Sequence, residues 1–129
     1  MILHLETSTK ICSVALSKNG ELFDFIETSS DQFIHGEQLT VMIDQLLKRN
    51  STDIKSLLAI SFSLGPGSYT GLRIGLATAK GLSFGLGIPF IGVSSLESLV
   101  SLTRAKHPDA TIAAAFDARR DEVFLRIQQ

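Results

Sequence analysis

Hydrophobic and polar positions alternate at the start of the chain. Ile2, Leu3 and Leu5 form one apolar run, Ile11, Cys12, Val14 and Leu16 a second, and Leu22, Phe23, Phe25 and Ile26 a third. This pattern predicts three short strands. They are separated by Thr7-Ser8-Thr9-Lys10 and by Lys18-Asn19-Gly20-Glu21, and Asn-Gly between apolar runs is a strong hairpin signal. An antiparallel meander is expected. After a polar break at Thr28-Ser29-Ser30-Asp31 the period changes. Leu39, Met42, Ile43, Leu46 and Leu47 recur at i, i+3, i+4, i+7 and i+8, which predicts an amphipathic helix over residues 35–49. Lys48 and Arg49 fall in its last turn, where the helix dipole favours cations.

The second half of the chain alternates strand and helix. Leu57, Leu58, Ile60 and Phe62 predict a buried strand over residues 54–64, and Gly65-Pro66-Gly67-Ser68 ends it. A long helix over 68–84 and a short strand over 89–93 follow. Ser94-Ser95-Leu96-Glu97 has the form of a capping box, with Leu96, Leu99, Val100 and Thr103 as the inward stripe of a third helix. His107-Pro108-Asp109 stops that helix, and strands over 112–116 and 123–127 flank a polar tip. Three strands followed by alternating units predict an α/β domain with a mixed sheet and helices on its faces. The closing hairpin finds no obvious partner in that sheet, so it reads as the start of a second lobe.

Composition narrows the class. The 129 residues are 44% apolar and 19% charged, with net charge −1. The apolar fraction and low net charge exclude disorder. A single cysteine, Cys12, excludes a disulfide scaffold. No Lys/Arg cluster exceeds Arg119-Arg120, which argues against a basic nucleic-acid module. The most apolar stretch, residues 74–93, is broken by Lys80, Pro89 and several glycines, so it reads as buried structure and not as a membrane span. Without a targeting signal at its start, the chain is expected in the cytoplasm.

The strongest local feature is Ser63-Leu64-Gly65-Pro66-Gly67-Ser68-Tyr69-Thr70-Gly71. A glycine loop opening a helix can receive an anion at the free N–H groups. Neither the P-loop nor the dinucleotide spacing is met, and no lysine follows. A loop made by Glu6, Gly65, Gly67, Ser68, Thr70 and Gly71 is therefore either an anion or nucleotide site or a tight turn capped by Ser68 or Thr70. Within the helix, Gly71, Gly75 and Ala79 share one ridge, and Ala77, Gly81 and Gly85 a second. Gly75 and Gly81 in mid-helix cost about 2 kcal/mol relative to alanine, which a close approach would offset. That approach is either to the domain's own sheet or to a second protein. Catalytic groups are sparse. His4, His35 and His107 form no metal-binding pair. Cys12 reads as a small core residue. Glu6 beside Thr7, Ser8 and Thr9 is either a capped turn or a holder of metal or phosphate. Asp44, Asp53 and the Asp117/Arg119/Arg120 tip read as solvated charges.

The run from Ser63 to Gly75 resembles the signature of the TsaB family of tRNA threonylcarbamoyladenosine biosynthesis proteins, also called glycoprotease-like or peptidase M22-like. Ala77-Thr78-Ala79-Lys80-Gly81, Gly92-Val93-Ser94-Ser95-Leu96-Glu97, the opening Glu6-Thr7-Ser8-Thr9 and Asp117-Ala118-Arg119-Arg120 fit as well. The resemblance implies a ribonuclease-H-like lobe of the actin-like ATPase (ASKHA) fold, a βββαβαβα mixed sheet plus a hairpin. Residues 1–107 would be the first lobe and 108–129 a truncated second one. It also implies a non-catalytic scaffold or activator with no cofactor or metal of its own. ATP and metal would sit on a homologous catalytic subunit that transfers threonylcarbamoyl to adenosine 37 of tRNA. A small ATPase would join the complex, a homodimer would form when the partner is absent, and tRNA would be contacted only indirectly. The family's partner contact lies on the long helices. The expected interface is Leu39, Met42, Ile43 and Leu46 with Tyr69, Leu72, Gly75, Leu76 and Ala79, so that Gly75→Leu abolishes binding and leaves the lobe folded. Glu6 stands where the family more often has Asp, which weakens nucleotide binding. The alternatives are an ATP-binding phosphotransferase or ATPase of the same fold and, last, a metallopeptidase.

Overall fold

The computed structural model describes residues 1–29 and 35–129. Strands β1 (Ile2–Glu6), β2 (Ile11–Lys18) and β3 (Glu21–Ser29) make the meander. Then α1 (His35–Arg49), β4 (Ala59–Gly65), α2 (Tyr69–Leu86), β5 (Phe90–Ser94) and α3 (Ser95–Lys106) alternate, and β6 (Ile112–Arg119) and β7 (Glu122–Gln128) close the chain. Ser30 and Asp31 of the polar break lie outside the described residues. The β2–β3 turn works as the Asn-Gly signal requires: Asn19 and Gly20 both have positive φ, 54° and 83°, the pairing a two-residue hairpin of matching twist needs.

Strands β1 to β5 form one sheet in the order β3-β2-β1-β4-β5. The meander pairs are antiparallel, and β4 and β5 add in parallel to β1 and to each other. This is the mixed α/β sheet of a ribonuclease-H-like, actin-like lobe. Successive residues point to opposite faces. Leu3, Leu5, Cys12, Val14, Leu16, Ile60 and Phe62 face the first two helices. There they meet Leu39, Met42, Ile43, Leu46 and Leu47 of α1 and Ala79 of α2 in one core. The other face carries α3, which packs on β4 and β5. The hairpin β6–β7 is a separate two-stranded sheet resting on α3 through Ile112 and Ala114, beside Val100 and Leu96.

Two local expectations are corrected. Residues 54–58 are not strand: Ile54–Ser56 is a short 3-10 turn whose first N–H groups are served by Asp53, with Lys55 N donating to its carboxylate at 2.9 Å. Asp53 is exposed, as expected, and also caps this turn, and the strand starts at Ala59, where Ile2 pairs with it. At α3, Ser94 accepts from Glu97 N at 3.4 Å, but the Glu97 carboxylate turns to Arg126 instead of back to the cap. Leu99 of the expected inward stripe is substantially exposed.

The outer edge of β3 is guarded. Asp24 accepts from Phe25 N, from Arg49 Nε and from Asn50 Nδ2, and Arg49 also donates to Phe25 O at 2.8 Å. Both backbone groups of Phe25 are satisfied this way, which blunts an edge that would otherwise invite pairing. No helix among the described residues is long and apolar enough to cross a membrane.

Candidate functional site

The loop entering α2 is built against the β1–β2 turn. Gly65 has φ +100°, and a Cβ on Gly67 would lie 2.4 Å from Ser8 O, so both glycines answer needs of the chain itself. Ser68 N donates to Ser8 O at 2.6 Å. Ser68 Oγ caps the helix by accepting from Gly71 N at 3.2 Å, and Thr7 Oγ1 donates to Gly71 O at 2.7 Å. Thr7 and Ser8 are buried, which the pattern of a polar turn did not reveal. The Glu6 carboxylate accepts from Ser8 N at 2.6 Å and from the Ser63 hydroxyl. Glu6, Gly65, Gly67, Ser68 and Gly71 are thus gathered at one end of the sheet. Ser68, not Thr70, is the cap, and Thr70 is exposed. Beside them a cavity of about 430 Å³ opens toward the hairpin, lined by Ser8, Lys10, Ser68, Asp117 and Arg119 among others. The hairpin tip is tightly wound, with Arg119, Arg120 and Asp121 all at positive φ.

Titratable groups near this end of the sheet are shifted by burial. The Cys12 thiol is pushed up to about 11 by burial and, secondarily, by the Glu6 charge, so it is inert at neutral pH. Burial lowers the pKa of His4, whose Nε2 lies 2.7 Å from Ser17 Oγ. Among the described residues no three His, Cys, Asp or Glu side chains converge as a metal site would require.

Helix α2 has two unlike faces. A Cβ on Gly75 would lie 2.3 Å from Thr7 Oγ1 and 2.4 Å from Phe62 Cε2. Gly71, Gly75 and Ala79 are the buried residues of the helix, so the first small-residue ridge packs on the chain's own sheet. Most of the residues expected at a partner interface face this core. Leu39, Met42, Ile43, Leu46, Gly75 and Ala79 are core residues with almost no surface to offer, and Leu72 and Leu76 are half-buried against the same core. Of the expected set only Tyr69 is exposed, at 72%, with Arg73 Nη1 donating to its hydroxyl at 2.8 Å. The solvent side of α2 carries the second ridge. Ala77, Lys80, Gly81 and Phe84 are exposed, Phe84 to 92%, and a Cβ on Gly81 or Gly85 would meet nothing within 4 Å. Between this helix and α1 runs a largely apolar groove of about 400 Å³ lined by Ile43, Leu47, Ile54 and Leu82 with Asp44 and Lys48 at its rim. The Ala77/Gly81/Gly85 spacing was visible in the sequence. Periodicity alone does not say which ridge meets the sheet.

Residues 30–127 match the family model described as TsaD, tRNA N6-adenosine threonylcarbamoyltransferase. The tRNA threonylcarbamoyladenosine biosynthesis protein TsaB of Haemophilus influenzae is 37% identical over 95% of this chain and 51% of its own length. The Escherichia coli protein of that name is 35% identical over 95% and 52%, and the Bacillus subtilis one 33% over 99% and 55%. The structure of YeaZ from Pseudomonas aeruginosa superposes with TM-score 0.88 at 35% identity, covering 99% of this chain and 58% of that one. This chain belongs to the TsaB family. It spans about half the length of the curated TsaB proteins it matches. Another Pseudomonas aeruginosa structure, at TM-score 0.89, is described as having similarity to peptidase YeaZ. Ser63 is hydrogen-bonded to Glu6, and His4 Nε2 lies 2.7 Å from Ser17 Oγ, but among the described residues no carboxylate is hydrogen-bonded to the His4 ring to complete a Ser-His-Asp relay.

Proposed function

We propose that the chain is a non-catalytic partner subunit in the making of N6-threonylcarbamoyladenosine at position 37 of tRNA, docking on a homologous TsaD-like catalytic subunit through the solvent face of α2 and the groove beside α1. The observation that carries this reading is Phe84, 92% exposed on a helix face of small residues. A large aromatic held in water beside Ala77 and Gly81 is the pattern of an interface that admits another helix at close range. The TsaD family match and the names of the relatives support the choice of partner and process. In the same reading, ATP and metal belong to the catalytic subunit, a small ATPase joins the assembly in the cytoplasm, and residues 108–129 open a second lobe. A net charge of −1 leaves tRNA binding mainly to the other subunits.

Mixing the chain with its TsaD homologue from the same organism and measuring mass by light scattering tests this. A 1:1 complex is expected, and Phe84→Asp should weaken it at least tenfold with the fold intact. A complex indifferent to Phe84→Asp rejects the α2 face.

The cavity of about 430 Å³ between the α2 loop and the hairpin favours a second reading, an actin-like nucleotide site using Lys10 and Arg119. Mg-ATP would then raise the melting temperature of the chain, because a ligand that binds only the folded state stabilises it.

A further inference from the structure

The hairpin β6–β7 is fastened to the rest of the fold through one element. Among the described elements α3 alone packs extensively on it. The apolar part of that contact is small, Ile112 and Ala114 of β6 against Val100 and Leu96 of α3. A two-stranded hairpin is marginal by itself, and so few buried side chains hold it only weakly. Two hollows border the contact. One is the cavity of about 430 Å³ between the hairpin and the loop entering α2. The other, of about 400 Å³, runs between α3 and β6 and is lined by Leu99, Thr103, His107 and Ala113 among others.

Polar groups supply the rest of the attachment, and one side chain supplies most of it. Arg104 lies in the last turn of α3 and is half-buried. Its Nη1 donates to Pro108 O and to Ala110 O, both at 2.8 Å, and its Nη2 donates to Gln128 O at 3.4 Å. Pro108 and Ala110 belong to the link between α3 and β6. Gln128 is the residue of β7 that pairs with Ile112, the first of β6. One planar guanidinium thus ties together the helix, the link and the base of the hairpin. Hydrogen bonds from a charged donor are stronger than neutral ones, and the fixed fork sets direction as well as attachment. The other polar tie, Arg126 to Glu97 at 3.4 Å, joins two exposed side chains and is weakened by water.

The hairpin is also a lever. Strand β6 has eight residues and extends about 23 Å from its base to its tip. A tilt of about 10° at the base carries the tip roughly 4 Å. The tip residues Phe116 and Arg119 form one wall of the cavity, and Ser8 and Ser68 another. We propose that the hairpin is a flap over this cavity, pivoting on the link over residues 107–111, and that Arg104 is the positioning residue that sets its resting angle. While the guanidinium holds the carbonyls of the link and of Gln128, the cavity keeps one width. Once it lets go, Phe116 and Arg119 swing relative to Ser8 and Ser68. The device depends neither on what the cavity binds nor on the α2 reading.

Nitroxide labels on Lys80→Cys of α2 and Glu122→Cys beside the tip report the angle, read from the full chain as a distance distribution by pulsed electron resonance. Cys12 is buried and stays unlabelled. The parent is expected to give one narrow distribution, and Arg104→Ala to at least double its width. Arg104→Met, which keeps the stem and loses the donors, should do the same. Arg126→Ala should leave the distribution narrow. Hydrogen exchange adds a readout that a merely structural role would not give: Arg104→Ala should speed exchange over residues 112–128 at least tenfold and leave β1, β2 and β4 unchanged. The proposal is overturned if the parent distribution is already broad, or if Arg104→Ala stays narrow. It is equally overturned if Arg104→Met behaves as the parent, if Arg126→Ala broadens the distribution as much, or if exchange quickens alike in sheet and hairpin.

Discussion

Adding one methyl group at Gly75 and one at Gly81 should move stability in opposite directions. The two glycines lie on different faces of α2, Gly75 against the sheet and Gly81 toward open space. At Gly75 a Cβ would approach Thr7 Oγ1 to 2.3 Å and Phe62 Cε2 to 2.4 Å, with Phe62 Cζ at 3.1 Å. Neither neighbour can retreat freely. Thr7 is fully buried and donates to Gly71 O one turn earlier, and Phe62 lies at the centre of the core. Forcing a methyl into a packed core costs about 1–3 kcal/mol, and disturbing the Thr7 hydrogen bond adds about 1 kcal/mol. The better helix propensity of alanine returns about 1 kcal/mol. The net for Gly75→Ala is a loss of about 1–3 kcal/mol. At Gly81 nothing lies within 4 Å of the new atom, so only the propensity gain of about 1 kcal/mol remains. Urea titration followed by circular dichroism reads both values at unchanged slope. If Gly75→Ala proves neutral or stabilising, the close seating of α2 on the sheet is refuted. Gly75→Leu should fail to fold, the reverse of what an interface role for Gly75 would give.

Other consequences concern titration and exposure. His4 has a lowered pKa in the folded chain, so the unfolded chain takes up its proton first. Stability should be full above about pH 6.5 and fall below it, and His4→Gln should remove that part of the slope in pH-dependent melts. Asp24 is held below its usual 3.8 by the hydrogen bonds from Asn50 and Arg49. Its contribution is present above that pH and lost below it, so Asp24→Asn should flatten the acid limb, and sedimentation should reveal self-association through the unguarded edge of β3. Cys12, buried and with its pKa raised to about 11, should ignore a thiol-specific disulfide reagent at pH 8 in the native chain and react at once in denaturant.

Much of the fold could be read from period and punctuation. The spacing of Leu39, Met42, Ile43 and Leu46 predicted α1 over its full span, and Asn19-Gly20 predicted the meander turn. Residues 54–58 misled because an apolar run looks the same whether it is strand or turn, and the Asp53 cap acts through a backbone N–H that no pattern displays. The site was less legible for a related reason. Two small-residue ridges on α2 have the same spacing, and only contact with Thr7 and Phe62 distinguishes the inward one. Thr7 and Ser8 look like a solvated turn until Ser68 and Gly71 are brought beside them from more than fifty residues away.

The account rests on the solvent face of α2 being the surface that meets the catalytic homologue. Hydrogen exchange of the chain, alone and saturated with that homologue, tests this most directly. The account predicts slower exchange over residues 77–86 and in the facing part of α1, with the hairpin over 112–128 unchanged. Slowing confined to the hairpin, or no change anywhere in the two helices, would contradict it.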